Sequence, residues 1–335
     1  MNEKIDFVVT WVDGSDPNWI AEKNKYFIGN DEDASTNRYK DWGLLKYWFR
    51  GVEKFAPWVN KIYFITYGHL PTWLNVDNPK LVIVKHSDYI PKQYLPTFNS
   101  NVIELNIGKI KELSNNFVLF NDDFFLIKRT KPTDFFKNNV PCDTIGLNVH
   151  CPDEKNIVQN ICIRDTEIIN KYFNIHDVLK KDWKKWYNIK NGKILLRTLA
   201  LQSCPRFPGF WQSHLPISYK KQTFEKIWNI EGKLLNETST HKFRSKEDIN
   251  HWLMREFQIC EGNINVRNIK FGKVFHIEEF CQKDINEILC TIRKQKYKCI
   301  CINDSKYTNN NYSKLVEKIK NEFNNILPQK SSFEK

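Results

Sequence analysis

The sequence contains no run of the ~18–20 apolar residues that a membrane-spanning helix needs. Its first residues, MNEKIDFVVTWVDG, also lack the basic-then-apolar pattern of a secretory signal, so we expect a cytoplasmic protein. Internal repeats and low-complexity linkers are missing as well. Hydrophobic residues make up 41% of the 335 residues and charged residues 27%, which argues against disordered, collagen-like and coiled-coil proteins. The composition therefore indicates a globular protein with a substantial core.

The sequence also lacks the paired Cys-x-x-Cys spacing of a structural zinc site. Its nine cysteines are an odd number, so they cannot all pair within one chain. Cys299 and Cys301 alternate along a predicted strand, where both side chains share one face. We expect buried free thiols at these positions, as in proteins of a reducing compartment.

Acidic residues are outnumbered, with 39 acids against 51 lysines and arginines and a formal net charge of +12. Such a surplus suits an anionic partner: nucleic acid, an acidic membrane face or a phosphorylated substrate. The charge alone does not choose among them. The basic, tryptophan-bearing segment around Lys180–Lys190 either faces anionic lipid at the inner membrane surface or forms an ordinary solvated helical face.

Short apolar runs predict strands that are covered on both faces, as in a parallel sheet. Between the first two runs, apolar residues at three- and four-residue steps predict a helix over Asp41–Phe55, with Pro57 just beyond its end. Strand, helix and strand in this order predict an α/β, Rossmann-like fold with a mostly parallel sheet flanked by helices. The apolar runs are Asp6–Val12, Lys61–Thr66, Lys80–Val84 and Asn116–Phe120.

The chain changes character after about residue 152. We predict an α/β core over residues 1–151, a helical insertion over 152–260 that carries His214 and Arg244, and a return to the core over 261–335. Helical spacing of apolar residues predicts further helices over Phe243–Phe257 and Ser313–Leu327, the second docking back on the sheet.

Polar groups follow the first and fourth predicted strands, where ligands bind in open α/β sheets. Asp13 and Gly14 follow the first strand, and Asn121, Asp122 and Asp123 follow the fourth. Carboxylates at such positions can hold Mg²⁺ or Mn²⁺, although the same residues also cap helices and form solvated turns. Side chains alternate along a strand, so we expect only one of the two neighbouring aspartates to face a given pocket.

Further polar clusters occur later in the chain. Asn99 and Ser100 precede a helical pattern, where they could bind phosphate or simply cap the helix. His214 lies between aromatic residues and a proline; it could accept a proton from a hydroxyl group or be structural. Arg244 stands at the predicted start of the Phe243–Phe257 helix, where its guanidinium suits an anion.

In this order, these clusters resemble the Stealth family of sugar-1-phosphate transferases. That family includes bacterial capsular polysaccharide phosphotransferases and the catalytic subunit of the animal enzyme that tags lysosomal hydrolases with N-acetylglucosamine-1-phosphate. The matching segments are Ile5–Trp19 (IDFVVTWVDGSDPNW), Arg38–Asn75, Val84–Pro91 (VKHSDYIP), Leu95–Ser100 (LPTFNS), Ile103–Glu104, Phe117–Leu126 (FVLFNDDFFL), Ser213–Lys221 (SHLPISYKK), Phe243–Asn250 (FRSKEDIN) and Ile300–Asp304 (ICIND).

The resemblance implies a glycosyltransferase-A-like version of the fold and transfer of a hexose-1-phosphate, most often N-acetylhexosamine-1-phosphate, from a UDP-sugar such as UDP-N-acetylglucosamine. The acceptor is a hydroxyl of a glycan or lipid-linked oligosaccharide; a phosphodiester forms and UMP leaves. The resemblance also implies a divalent cation, Mg²⁺ or Mn²⁺. Two alternatives remain: a metal-dependent glycosyltransferase that releases UDP, and a basic nucleic-acid-binding protein. The interleaved acids and the lack of a nucleic-acid motif count against the latter.

Site residues follow from the resemblance and from the chemistry of phosphoryl transfer, which depends on positioning and charge neutralisation. We predict that His214 is the general base and that Arg244, supported by Arg38, grips the diphosphate. The predicted catalytic residues are His214, Arg244 and Asp123. The predicted donor- and phosphate-binding residues are Trp11, Asp13, Gly14, Arg38, Asn99, Ser100 and Asn121. The predicted metal ligands are a subset of Asp13, Asp122, Asp123, Asp248 and Asp304.

Overall fold

The first third of the chain contains both strands and helices, as the sequence predicts, although its second and third strands follow each other without a helix between them. The computed structural model describes residues 3–27, 39, 42–152, 157–276, 282–303 and 310–335. The strands are β1 (Ile5–Thr10), β2 (Ile62–Thr66), β3 (Leu81–Lys85), β4 (Asn116–Phe120), β5 (Phe124–Leu126), β6 (Phe136–Lys137), β7 (Val140–Asp143), β8 (Ile217–Lys220), β9 (Asn265–Val266), β10 (Gly272–His276) and β11 (Cys299–Asn303).

The helices lie on both sides of these strands. They are α1 (Pro17–Tyr26), α2 (Leu45–Phe55), α3 (His86–Tyr89), α4 (Ser100–Leu105), α5 (Ile157–Tyr172), α6 (Ile175–Lys181), α7 (Trp183–Trp186), α8 (Ile194–Leu201), α9 (Lys221–Thr240), α10 (Trp252–Cys260), α11 (Gln282–Arg293) and α12 (Asn310–Ile326). In the parts of the chain that the structure describes, none of these helices combines the length and the apolarity needed to cross a membrane.

The central sheet has the strand order β3-β2-β1-β4-β8. Strands β1 to β4 are parallel, and β8 runs antiparallel to β4 at the edge. Every residue of β2 and β4 is buried, because helices and loops cover both faces of the sheet. The predicted mostly parallel α/β sheet is therefore confirmed, and its four predicted strands end within two residues of the observed bounds.

Two apolar cores pack on the two faces of the sheet. On one face, α2 and α12 bury Trp48, Phe49 and Phe323 against strand residues such as Phe120. Burying a side chain of this size contributes about 1.5–3 kcal/mol each. The C-terminal helix thus docks on the core as its apolar spacing predicts, with the ring of Phe323 stacked on Tyr47.

The middle segment, residues 152–260, is less separate than the sequence suggests. It is mainly helical, but its strand β8 completes the central sheet beside β4. Tyr219 of β8 packs against Phe117 of β4 in the second core, which also holds Leu253 of α10. The segment therefore shares a core with the sheet, and the boundaries of the three predicted regions stay predictions.

The helix predicted over Phe243–Phe257 starts later than expected. Helix α10 begins only at Trp252, and turns precede it. The backbone N–H groups of Ser245 and Ile249 donate to side-chain oxygens of Asp248 and Thr238, which offer the chain an alternative to helical hydrogen bonds. The prediction that Arg244 stands at a helix start is therefore wrong; Arg244 lies in a loop.

The carboxyl edge of the sheet gathers several predicted site residues. Because β1 and β4 are adjacent and parallel, the residues that follow them, including Asp13 and Asp123, emerge at the same edge. Strand β8 starts at this edge, since Ile217 pairs with Leu119 near the end of β4. His214, just before β8, is thereby brought next to the turn that follows β4.

Candidate active site

Asp123, His214 and Cys301 converge at the carboxyl edge of the central sheet. Their carboxylate, imidazole and thiol ligand atoms all lie within 4.8 Å of one another. The Cys301 thiol donates to Asp123 Oδ2 at 3.1 Å, whereas Asp123 Oδ1 is buried without a hydrogen-bond partner among the described residues. The ring of His214 packs edge-on against Phe124, at 5.3 Å between centroids. The structure thus brings two of the three predicted catalytic residues together.

The surroundings of His214 favour its neutral form. Burial lowers the pKa of the imidazole, the carboxylate of Asp123 raises it, and the nearby His276 and Arg244 lower it. Burial also raises the pKa of Asp123, and the nearby His214 works against that shift. A neutral imidazole can accept a proton, and the adjacent carboxylate stabilises the imidazolium that results.

Arg244 is held by the start of helix α4. Its Nε donates to Ser100 Oγ at 3.0 Å, and its Nη2 donates to the same oxygen. Burial raises the pKa of the neighbouring Glu104 to about 7, and the positive charge of Arg244 opposes that shift. One edge of the guanidinium is therefore fixed by Ser100. The structure places Arg244 near His214, as the sequence predicts.

Asp248 lies in a buried hydrogen-bond network. Its carboxylate is fully buried. Oδ2 accepts from Asn99 Nδ2 at 2.8 Å, from Asn101 Nδ2 at 2.9 Å and from Ser245 N at 3.1 Å, and Oδ1 is 2.6 Å from His241 Nδ1. These contacts engage both carboxylate oxygens. They favour a structural role for Asp248, and its place among the possible metal ligands stays a prediction, because the sequence does not show which acids already have internal donors.

Asn99 belongs to the same buried network. Its Oδ1 accepts from Asn101 N at 3.0 Å and caps helix α4, and its Nδ2 donates to Phe243 O and to Asp248. The capping alternative is therefore confirmed, and the predicted donor contact of Asn99 stays a prediction. Asn99 also ties the loop that carries Arg244 to the start of α4.

Removing the Asp248 carboxylate should therefore disrupt this network and destabilise the folded protein. We expect Asp248→Ala to lower the free energy of unfolding by about 3 kcal/mol or more, because several buried donors lose their acceptor at once. The exposed neighbour Glu247 supplies the matched control, and Glu247→Ala should change stability by less than about 0.5 kcal/mol. Urea denaturation measures both. An Asp248→Ala protein as stable as the wild type would contradict the structural role.

The turn after β1 is tightly constrained. Asp13 Oδ1 accepts from Ser15 N and Ser15 Oγ, and the Asp13 backbone N–H donates to His69 Nε2 at 2.7 Å. A Cβ added to Gly14 would lie 2.0 Å from the carbonyl oxygen of Tyr39, so a larger residue does not fit there. Asp13 and Gly14 lie at the predicted edge, and their roles in donor binding stay predictions.

Trp11 lies in the first core rather than along an open pocket. Its ring stacks on Phe64 and meets His69 edge-on, and it is 6% exposed. Trp11 is therefore part of the core, and its predicted donor contact stays a prediction. Asn121 and the exposed Asp122 follow β4 as predicted, whereas Arg38 and Asp304 lie outside the described residues.

Several residues beside the site were not predicted to act there. His276, at the end of β10, is near enough to His214 and Asp123 to shift the pKa of both, and its Nδ1 is 3.3 Å from Asn303 Nδ2. Glu104 lies 3.4 Å from the buried His251. The resemblance to the family motifs at Ile103–Glu104 and Ile300–Asp304 was the one sequence signal in their vicinity.

Comparison with known proteins identifies the family. The models of Stealth protein conserved regions 1 and 2 match residues 3–31 and 38–143. Capsular polysaccharide phosphotransferase WcwK of Streptococcus pneumoniae is 47% identical over 99% of this chain and 98% of its own length. Receptor polysaccharide phosphotransferase WefC of Streptococcus oralis is 40% identical (99% of each), and exopolysaccharide phosphotransferase cps2G of Lactiplantibacillus plantarum is 38% identical (99% and 96%).

Two solved glycosyltransferase structures align with the chain at low TM-scores. Galactosyltransferase LgtC, in complex with donor and acceptor sugar analogues, aligns with a TM-score of 0.42 and 7% identity over 98% of both chains. The bifunctional glycosyltransferase WbbM aligns with a TM-score of 0.40 and 10% identity over 98% of this chain and 52% of its own. The curated relatives, matched over nearly their full length, show that the chain is an enzyme and belongs to the Stealth family of bacterial polysaccharide phosphotransferases.

Proposed function

We propose that the enzyme transfers a hexose-1-phosphate from a UDP-sugar to a hydroxyl of an acceptor glycan in bacterial surface polysaccharide synthesis. The observation that carries the proposal is the partly buried His214 beside Asp123, with Arg244 nearby, at the carboxyl edge of the sheet. This edge is where α/β sheets bind nucleotides, and the arrangement supplies a base and a cation for an anionic donor. N-acetylhexosamine-1-phosphate is the group we expect to move.

In the proposed reaction, His214 acts as the general base. The acceptor oxygen attacks the β-phosphorus, which carries the sugar, while its proton passes to the imidazole. The bond from this phosphorus to the bridging oxygen breaks, and UMP leaves with the electron pair. The new phosphodiester therefore keeps the sugar phosphate intact. Asp123 contributes by stabilising the protonated imidazole, which is costly in a buried position without an adjacent negative charge.

In the proposed reaction, Arg244 binds the phosphates of the donor. A guanidinium presents its donors in a planar fork, which matches phosphate oxygens better than an ammonium does. Because Ser100 Oγ accepts from both Nε and Nη2, the plane of the guanidinium is set before the donor arrives. Preorganised donors of this kind stabilise the charge that develops in the transition state.

A divalent cation fits part of this site. Asp123 Oδ1 is buried without a partner among the described residues, and oxygen is the ligand that Mg²⁺ and Mn²⁺ prefer. We propose that Asp123, with Asp122 or Asp13, holds such an ion together with the phosphates of the donor. The ion would neutralise phosphate charge. The imidazole and thiol beside Asp123 are softer ligands, so a hard cation leaves His214 free to act as a base.

Chelation tests the cation. We expect exhaustive dialysis against EDTA to abolish transfer and Mg²⁺ or Mn²⁺ to restore it, because nothing else in the proposal neutralises the diphosphate fully. Full activity in EDTA would exclude the ion. Restoration by Zn²⁺ alone would indicate that Asp123, His214 and Cys301 bind the metal together, which would contradict His214 as the base.

The fate of the β-phosphate tests the function itself. The enzyme is incubated with UDP-sugars labelled with ³²P at the β-position, a short water-soluble glycan and Mg²⁺ or Mn²⁺. We expect the label in the glycan and unlabelled UMP in solution, with a phosphodiester signal by phosphorus NMR. Label recovered as UDP would instead show an ordinary glycosyltransferase. The panel of UDP-sugars identifies the hexose, and His214→Asn supplies the inactive control.

We further propose that the physiological acceptor is a glycan or lipid-linked oligosaccharide presented at the inner face of the cytoplasmic membrane. The excess of positive charge supports this placement, since an acidic lipid surface attracts it.

A further inference from the structure

The helices of the middle segment expose large apolar side chains. Trp183 of α7 is 55% exposed, Ile189 in the following turn 87%, and Leu196 of α8 70%. Helix α8 has apolar side chains on its solvent-facing side as well: Ile194 and Thr198 face the interior, whereas Leu196 and Leu199 face outwards. These exposed side chains belong to consecutive elements of one short stretch, and several large apolar groups exposed in one region of a protein indicate an interaction site more often than isolated ones do. We call residues 180–206 the basic-apolar surface.

Basic residues dominate the charge of the basic-apolar surface. Its single acid, Asp182, is already paired with Lys185 at 2.7 Å. Lys184 lies beside the exposed ring of Trp183, at 5.6 Å from its centroid. The surface thus combines apolar side chains, a tryptophan and uncompensated positive charge. Its eight basic residues are Lys180, Lys181, Lys184, Lys185, Lys190, Lys193, Arg197 and Arg206.

We propose that the basic-apolar surface docks the enzyme on an anionic phospholipid membrane. Lysines and arginines attract acidic headgroups, while the apolar side chains and Trp183 enter the boundary between headgroups and acyl chains. A nucleic acid would use the charge but would gain little from Ile189 and Leu196. An ordinary solvated helical face would not expose these two side chains to such an extent.

The surface adjoins the segment that carries the catalytic base. Arg197 of α8 lies 5.2 Å from the ring centroid of Trp211, and His214 follows three residues later. The Trp211 backbone N–H donates to Gly146 O, which fixes this segment beside α8. Docking would place the active site next to the membrane layer in which a lipid-linked acceptor lies, a consequence that rests on the proposed function. The docking itself does not depend on that function.

Vesicle flotation of the full chain tests the docking. The probes are vesicles of phosphatidylglycerol and phosphatidylcholine in equal parts, and vesicles of phosphatidylcholine alone. We expect binding to the anionic vesicles that weakens with salt. The triple variant Lys184→Glu, Lys190→Glu, Lys193→Glu should bind at least about a hundredfold more weakly, since each basic residue contributes about fivefold. The double variant Ile189→Asn, Leu196→Asn should bind at least about tenfold more weakly.

Matched variants elsewhere on the surface serve as controls. The triple Lys92→Glu, Lys111→Glu, Lys131→Glu changes the net charge equally, and Val76→Asn removes another exposed apolar side chain. Both should bind anionic vesicles nearly as well as the wild type.

Each outcome has a clear meaning. Equal loss in the control triple would show attraction by net charge alone and overturn the proposal, as would equal binding to both kinds of vesicle or no binding to either. Activity on the water-soluble glycan should stay within about twofold in all four variants, because their side chains lie outside the catalytic machinery. Flotation without any sugar-phosphate transfer would refute the proposed function and leave the docking intact.

Discussion

Replacing His214 with asparagine should lower the rate of sugar-phosphate transfer by about 10²–10⁴-fold, the usual contribution of a general base. Asparagine is the appropriate replacement because His214 has a positive φ of 44°, in the left-handed region that asparagine tolerates better than most residues. His214→Asn therefore removes the base and keeps the backbone. We expect an unchanged circular dichroism spectrum and urea midpoint, and a loss in kcat rather than in KM for the donor.

His276 is the nearest rival for this role and supplies the control. It also lies beside Asp123, but it is exposed, whereas His214 is partly buried against Phe124. His276→Asn should lower kcat by about tenfold or less, because it perturbs the charge around the base without removing the base. If His276→Asn instead caused the larger loss, the general base would be His276. Normal activity in His214→Asn would remove His214 from the mechanism.

The positions of Asp123 and His214 illustrate what the sequence can predict. Asp123 follows an apolar run that is buried on both faces, so its placement at the carboxyl edge follows from the α/β rule alone. His214 was singled out by its local surroundings and by the family resemblance. That the two would meet required β8 to pair with β4, and nothing in the helical pattern of the middle segment predicted this strand.

The residues that contact these side chains were harder to predict from the sequence. Cys301 was correctly predicted as a buried thiol, yet its contact with Asp123 joins residues 178 positions apart and has no local signature. The hydrogen-bond network of Asp248 was hidden for a different reason. In the sequence, an acid that binds a metal and an acid that accepts from buried amides look the same, because the distinction depends on donors such as Asn99 and Asn101 that come from another part of the chain.

Replacing Arg244 with lysine should lower transfer by about 10²–10³-fold although the charge is kept. A lysine cannot offer two parallel N–H groups to a phosphate, and it cannot reproduce the double donation to Ser100 Oγ that orients the guanidinium. The loss should appear in both kcat and donor KM, because the diphosphate is contacted before and during the reaction. Steady-state kinetics with varied UDP-sugar measures both.

A Ser100 variant distinguishes the effect of the charge of Arg244 from the effect of its orientation. Ser100→Ala should cost about tenfold through a mispositioned guanidinium, and it should cost nothing further once Arg244 is already lysine. The double variant would then match Arg244→Lys, since the hydroxyl acts only through the arginine. Additive losses in the double variant would instead show that Ser100 contacts the substrate directly. Wild-type activity in Arg244→Lys would mean that a point charge is sufficient, and the bidentate contact with the diphosphate would have to be abandoned.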